Sequence, residues 1–122
     1  LGREVGLFEK NFSKFIGCSY AIGCANGTDA LTLAIKSLKL PKNSEVIMPA
    51  MTYCSTAFAI INAGLKPVLV DVEENKPTID IEKINSKINN KTSVIMPVHL
   101  YGSIVDIQKI KKIISKKKER FI

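Results

Sequence analysis

The 122-residue chain predicts an α/β domain of three layers, α/β/α, around a mostly parallel sheet. Three observations lead there. Apolar, β-branched runs at 45–49 (EVIMP), 66–72 (KPVLVDV) and 92–98 (TSVIMPV) alternate with segments of helical periodicity. Strands alternating with helical segments of about ten to fifteen residues imply βαβ units and parallel pairing. The runs also lack the polar alternation of a half-exposed sheet, as expected where helices cover both faces.

Each element has its own signal. Val5, Phe8, Phe12, Phe15 and Ile16 fall near helical spacing, and Gly17 supplies the C-terminal stop. Residues 19–25 (SYAIGCA) read as a buried first strand. Ala30, Leu31, Leu33, Ala34, Ile35 and Leu38 mark a second helix, which Pro41 ends. Residues 45–49 form a short strand closed by Pro49. A helix over 55–63 stops at Gly64 and leads into the strand 66–72. An amphipathic helix over 80–88, a turn at Asn89-Asn90 and the strand 92–98 follow. The helix 105–114 carries the stripe Ile107, Ile110, Ile113 and Ile114, and Phe121-Ile122 starts a further strand. Leu1 is not an initiator methionine and the last strand stops short, so the expectation is a fragment of a longer protein.

Composition narrows the class. The chain is 46% hydrophobic and 24% charged, ordinary for a soluble globular protein, with no apolar window long enough for a membrane span. No signal peptide is visible, and a cytoplasmic protein is expected. The net charge of +7 owes much to Lys109, Lys111, Lys112, Lys116, Lys117 and Lys118. Without aromatic interleaving or a recognition motif, that cluster reads as a solvated helix face and turn, so no nucleic-acid partner is expected. The excess would also steer a polyanionic small substrate. Cys18, Cys24 and Cys54 lack CxxC spacing and read as small buried residues in a reducing compartment, with no metal site.

In open α/β sheets ligands gather beyond the carboxyl ends of the strands. After the first predicted strand comes Asn26-Gly27-Thr28-Asp29, opening a helix whose leading N–H groups lack partners. Two readings fit. Gly27 and Thr28 can bring backbone and hydroxyl donors to an anion such as phosphate. Alternatively, Asn26 or Thr28 is a plain N-cap, with Asp29 complementing the helix dipole. The stretch matches neither GxGxxG nor GxxxxGK[ST]. At the next strand end, Tyr53 either stacks on a planar heteroaromatic ligand or packs against a neighbouring helix. The last carries His99, the single histidine, and Tyr101. His99 reads as a hydrogen-bonded structural residue or, with a cysteine, as a nucleophilic pair.

Three stretches taken together, FEKNFSKFIGCSYAIGCANGTDALTLAIKSL, EVIMPAMTYCSTAFAIINAGLKPVLVDV and IMPVHLYG, resemble the DegT/DnrJ/EryC1/StrS family in order and spacing. These are pyridoxal-phosphate-dependent aminotransferases acting on nucleotide-linked keto-sugars. The resemblance implies the aspartate-aminotransferase fold (fold type I), with residues 1–122 forming part of the cofactor-binding large domain. It implies that Gly27, Thr28 and the backbone N–H of Asp29 hold the phosphate of pyridoxal 5'-phosphate. The Asp29 carboxylate would turn away from that dianion, and Tyr53 would stack on the pyridine ring. His99 and Tyr101 would lie on a loop near the pocket.

The family's Schiff-base lysine, its pyridine-pairing Asp and a nearby Gln would come later in the chain. None of the lysines here matches the catalytic one, so no catalytic residue is assigned and the fragment alone is expected to be inactive. The implied reaction moves an amino group from glutamate or glutamine to a UDP- or dTDP-linked keto-sugar, for a cell-surface polysaccharide or a secondary metabolite. A homodimer with sites at the subunit interface is implied too. The alternatives are the family's dehydratase branch, with histidine in place of the lysine, and a non-catalytic phosphate-binding domain.

Overall fold

Three parallel strands organise the protein in a computed structural model that describes residues 2–115. They are β1 (Glu45–Pro49), β2 (Lys66–Val70) and β3 (Thr92–Ile95), in the order β2-β1-β3. β1 pairs with β2 in unbroken register from Glu45↔Lys66 to Pro49↔Val70. It pairs with β3 through Val46↔Val94 and Ile47↔Ile95, after a register shift between Glu45 and Val46. The helices are α1 (Arg3–Ile16), α2 (Gly27–Ser37), α3 (Ser55–Asn62), α4 (Ile81–Lys87) and α5 (Ile107–Ser115).

Alternation along β1 divides the core, because successive side chains leave a strand on opposite faces. Ile47 joins Val70 and Ile95 beneath Ile81, Ile84 and Ile110 of α4 and α5. Val46 and Met48 join Val94 on the other face, beneath Ile35 of α2 and Ala59 and Ile60 of α3. A central strand sandwiched in this way is buried along its whole length. That is why its sequence is a continuous apolar run. The three-layer expectation therefore holds, with α4 and α5 on one side and α2 and α3 on the other.

The glycine stops hold for a backbone reason. Gly17 takes φ 76°, and the N–H groups of Gly17 and Cys18 donate to Lys14 O and Ser13 O, closing α1. Gly64, at φ 78°, ends the turn after α3 in the same left-handed conformation. Both conformations disfavour a side chain.

Two expectations are corrected. Residues 19–25 are neither a strand nor buried: Tyr20 is 84% and Ile22 80% exposed. A strand is made by its ladder, and no described strand lies alongside this segment. It leans instead on α1, where the Gly23 N–H donates to Glu9 Oε1 at 2.6 Å. The cysteines are exposed as well. Cys18 and Cys24 lie along the uncovered segment, and Cys54 precedes α3. The expected strand at Phe121-Ile122 lies outside the described residues.

Candidate functional site

The carboxyl end of β1 and the amino-terminal ends of α2 and α3 enclose an open cleft of about 580 Å³. Gly27 and Thr28 line one wall, Thr52, Tyr53 and Ser55 the other, and Val98 closes it beyond β3. The packing of α2 on α3 creates this meeting, since Leu31 and Ile35 share one apolar cluster with Ala59 and Ile60. No charged side chain lines the cleft among the described residues. What it offers a ligand is N–H, O–H and one aromatic face.

Asn26 caps α2. Its Oδ1 accepts the Asp29 N–H at 2.9 Å, while its Nδ2 donates to Asp29 Oδ2 at 3.0 Å. The N-cap alternative for this hinge is thereby realised, with Asn26 as the cap. The cap consumes the third leading N–H, and those of Gly27 and Thr28 find no protein acceptor among the described residues. The Asp29 carboxylate is turned away, toward a separate depression that also contains Lys36. Gly27 has open space around it, with nothing within 4 Å of where a Cβ would stand. Its φ is not positive, so the backbone conformation there does not demand glycine.

The hydroxyl of Thr28 meets that of Ser55 at 2.7 Å, across 27 residues of sequence. Periodicity marked Ser55 only as the start of a helix; pairing it with Thr28 needs the helix–helix contact. Tyr53 is 73% exposed at the mouth, so the packed-against-a-helix alternative is not what the fold adopts.

His99 and Tyr101 do not line the cleft. His99 Nδ1 accepts the Val105 N–H at 3.0 Å, which leaves Nε2 to carry the proton of the neutral ring. The bond pins a turn in which Tyr101 (φ 51°) and Gly102 (φ 79°) are both left-handed and the Ser103 N–H donates to Leu100 O. His99 thus takes the structural role.

Other charged features stand apart. A depression of about 690 Å³ at the amino ends of the strands holds Lys42, Lys66 and Lys91, at the opposite end of the sheet from Tyr53. Beyond β2, Lys83 bridges Asp71 at 3.2 Å and Asp80 at 3.6 Å, and Lys109 pairs with Glu82. The hydrogen bond and charge of Asp71 raise the Lys83 pKa, and those of Glu82 raise that of Lys109. No group of three or more His, Cys, Asp or Glu side chains among the described residues could hold a metal ion. No described helix is long and apolar enough to cross a membrane.

The model of the DegT/DnrJ/EryC1/StrS aminotransferase family matches residues 1–122. The chain belongs to that family. The membership accounts for the α/β fold with its parallel sheet. The chain is 45% identical over 116 residues to dTDP-3-amino-3,6-dideoxy-alpha-D-galactopyranose transaminase of Aneurinibacillus thermoaerophilus, covering 95% of this chain and 32% of the relative. It superimposes on the NtdA protein of Bacillus subtilis, solved with bound cofactor PMP, with a TM-score of 0.88. That match has 36% identity and covers 95% of this chain and 27% of the other. A GDP-4-keto-6-deoxymannose-3-dehydratase solved with a trapped PLP–glutamate species also gives 0.88. There the identity is 30%, and coverage is 100% of this chain and 33% of the dehydratase. The chain thus spans about a third of the length of the curated relatives it matches.

Proposed function

We propose that the protein carrying this chain moves an amino group from an amino-acid donor to the keto carbon of a nucleotide-linked sugar, with pyridoxal 5'-phosphate seated in the α2–α3 cleft. The observation that carries the reading is one uncharged cleft that joins two unpaired N–H groups, a threonine hydroxyl and an exposed aromatic ring. A phosphate needs convergent donors, and a pyridine ring needs a flat apolar face. When bound, the cofactor supplies the carbonyl carbon that takes the amino group from one substrate and hands it to the next.

The chain's own residues would do the holding. The N–H groups of Gly27 and Thr28 and the Thr28 hydroxyl donate to the phosphate, at the positive end of the α2 dipole. The role expected of the Asp29 amide is reduced, because Asn26 already occupies it. Tyr53 supports the ring. His99 and Tyr101 shape the loop beside the site rather than touching the cofactor. No lysine lines the cleft among the described residues, so none of them is assigned as the amine that bonds to the cofactor.

Residues 1–122 then form part of the cofactor-binding large domain, and a second copy of the protein completes the site in a homodimer. The donor is glutamate or glutamine, the acceptor a UDP- or dTDP-linked keto-sugar, and the setting cytoplasmic polysaccharide synthesis. A second reading, the sugar dehydratase, is supported by the equal TM-score to a dehydratase. The 45% identity to a transaminase favours amino transfer.

Thr28→Val tests the reading, because it removes the hydroxyl and keeps the shape. A hydrogen bond to a charged group contributes about 1.5–3 kcal/mol, so cofactor affinity should fall about 10–100-fold in an absorbance titration. An unchanged affinity would refute the phosphate assignment.

A further inference from the structure

We propose that Ser55 is a positioning residue for Thr28: it donates its hydroxyl proton to Thr28 Oγ1, so that the Thr28 proton points to an anion in the cleft. This rests on the phosphate reading given above. The two oxygens lie 2.7 Å apart in a part-buried setting, and neither hydroxyl has another protein partner among the described residues. Each hydroxyl has one proton and two acceptor lone pairs. Two arrangements are therefore open to the pair.

If Thr28 donates to Ser55, Thr28 turns only lone pairs toward the cleft and repels an anion. If Ser55 donates, Thr28 keeps its proton for the ligand. A phosphate dianion only accepts, so its arrival selects the second arrangement. The chain Ser55→Thr28→phosphate then runs in one direction. Each bond in such a chain polarises the next, by about 10–30% in condensed-phase terms.

Placement supports the assignment. Thr28 stands in the first turn of α2 and Ser55 at the first residue of α3. Branching at Cβ restricts χ1 and so the place of Thr28 Oγ1, while the hydroxyl proton turns freely until a neighbour's donation sets its direction. Ser55 is held by α3, whose Thr56, Ala59 and Ile60 are buried. A plain tie between two helices would make the same contact but would be indifferent to the ligand's phosphate. That difference is measurable.

The test measures equilibrium affinity for pyridoxal 5'-phosphate and for pyridoxal, which lacks the phosphate, in the protein that carries this chain. Far-UV circular dichroism confirms folding of each variant. Ser55→Ala should weaken pyridoxal 5'-phosphate about 3–10-fold, the effect of one lost hydrogen bond, and leave pyridoxal unchanged. Ser55→Thr, which keeps a hydroxyl, should retain the wild-type ratio of the two affinities. In a Thr28→Val background Ser55→Ala should add nothing, because the residue acts through Thr28.

The proposal is overturned if Ser55→Ala weakens both ligands alike, if Ser55→Thr lowers the ratio as Ser55→Ala does, or if the two substitutions simply add. It is also overturned if Thr28→Val lowers the ratio while Ser55→Ala leaves it intact. An unchanged ratio in Thr28→Val would instead remove the phosphate reading itself, and this proposal with it.

Discussion

Asn26 and Asp29 are bonded to each other twice at the start of α2, once through the Asp29 N–H and once through the Asp29 carboxylate. The pair satisfies one orphan donor of the helix and aims a negative charge away from the cleft. Asn26→Ala should cost about 1 kcal/mol of stability in chemical denaturation, the usual loss for an N-cap. Asn26→Asp separates the two bonds. It keeps an acceptor for the N–H but sets a second carboxylate against the first. That variant should be less stable than wild type at neutral pH, because like charges repel. Its deficit should shrink as added salt screens that repulsion. A deficit that did not change with salt would show that the carboxylate contact carries no weight.

Gly27 separates stability from binding. Its φ is not positive and the space around it is open, so alanine fits the fold. Replacing glycine at a compatible conformation stabilises by about 0.4–1 kcal/mol, so Gly27→Ala should melt no lower than wild type. The new methyl would nevertheless stand at the cleft wall, where the proposed phosphate would approach. Intrusion of that size costs about 1–3 kcal/mol, so cofactor affinity should drop about 5–150-fold. Intact affinity together with unchanged melting would mean that no ligand approaches this backbone.

Lys83 supplies a pH test of the fold. Its pKa lies above the ordinary value of 10.5, mainly through the hydrogen bond to Asp71. A raised folded-state pKa stabilises fully below the unfolded value, and the benefit is lost as pH rises through the folded one. Lys83→Met should therefore narrow its stability gap to wild type between pH 9 and 12, read by urea denaturation at each pH, with limits set by the lysine range of about 10.4. Added salt should narrow it at pH 8 too, since both partners are largely exposed. A gap constant across this range would mean that the bridge does not contribute.

The helices and the three described strands were legible because their signals are local. Helical spacing at Phe8, Phe12 and Phe15, left-handed Gly17 and Gly64, and the unbroken apolar run of β1 each report a nearby cause. The first predicted strand fails for the opposite reason. Tyr20 to Cys24 has strand composition, but pairing is a property of two segments, and none of the described residues provides the second. Once that segment is left uncovered, Cys18 and Cys24 are exposed with it.

The site divides in the same way. Gly27, Thr28 and Tyr53 could be singled out from residue type and from their position after apolar runs, and they do line one cleft. His99 and Tyr101 could be placed near it but not assigned, since the bond from Val105 to His99 depends on how the chain turns back. By itself the sequence determined the alternation of strands and helices and the residues able to donate to an anion, because these follow from local pattern and side-chain chemistry; the family came from the resemblance of three stretches in order and spacing. Only the tertiary structure decided that the Asp29 amide is already taken, that its carboxylate faces away and that Ser55 sits against Thr28. These depend on side-chain direction, and for Ser55 on the packing of α2 against α3 across 27 residues of sequence.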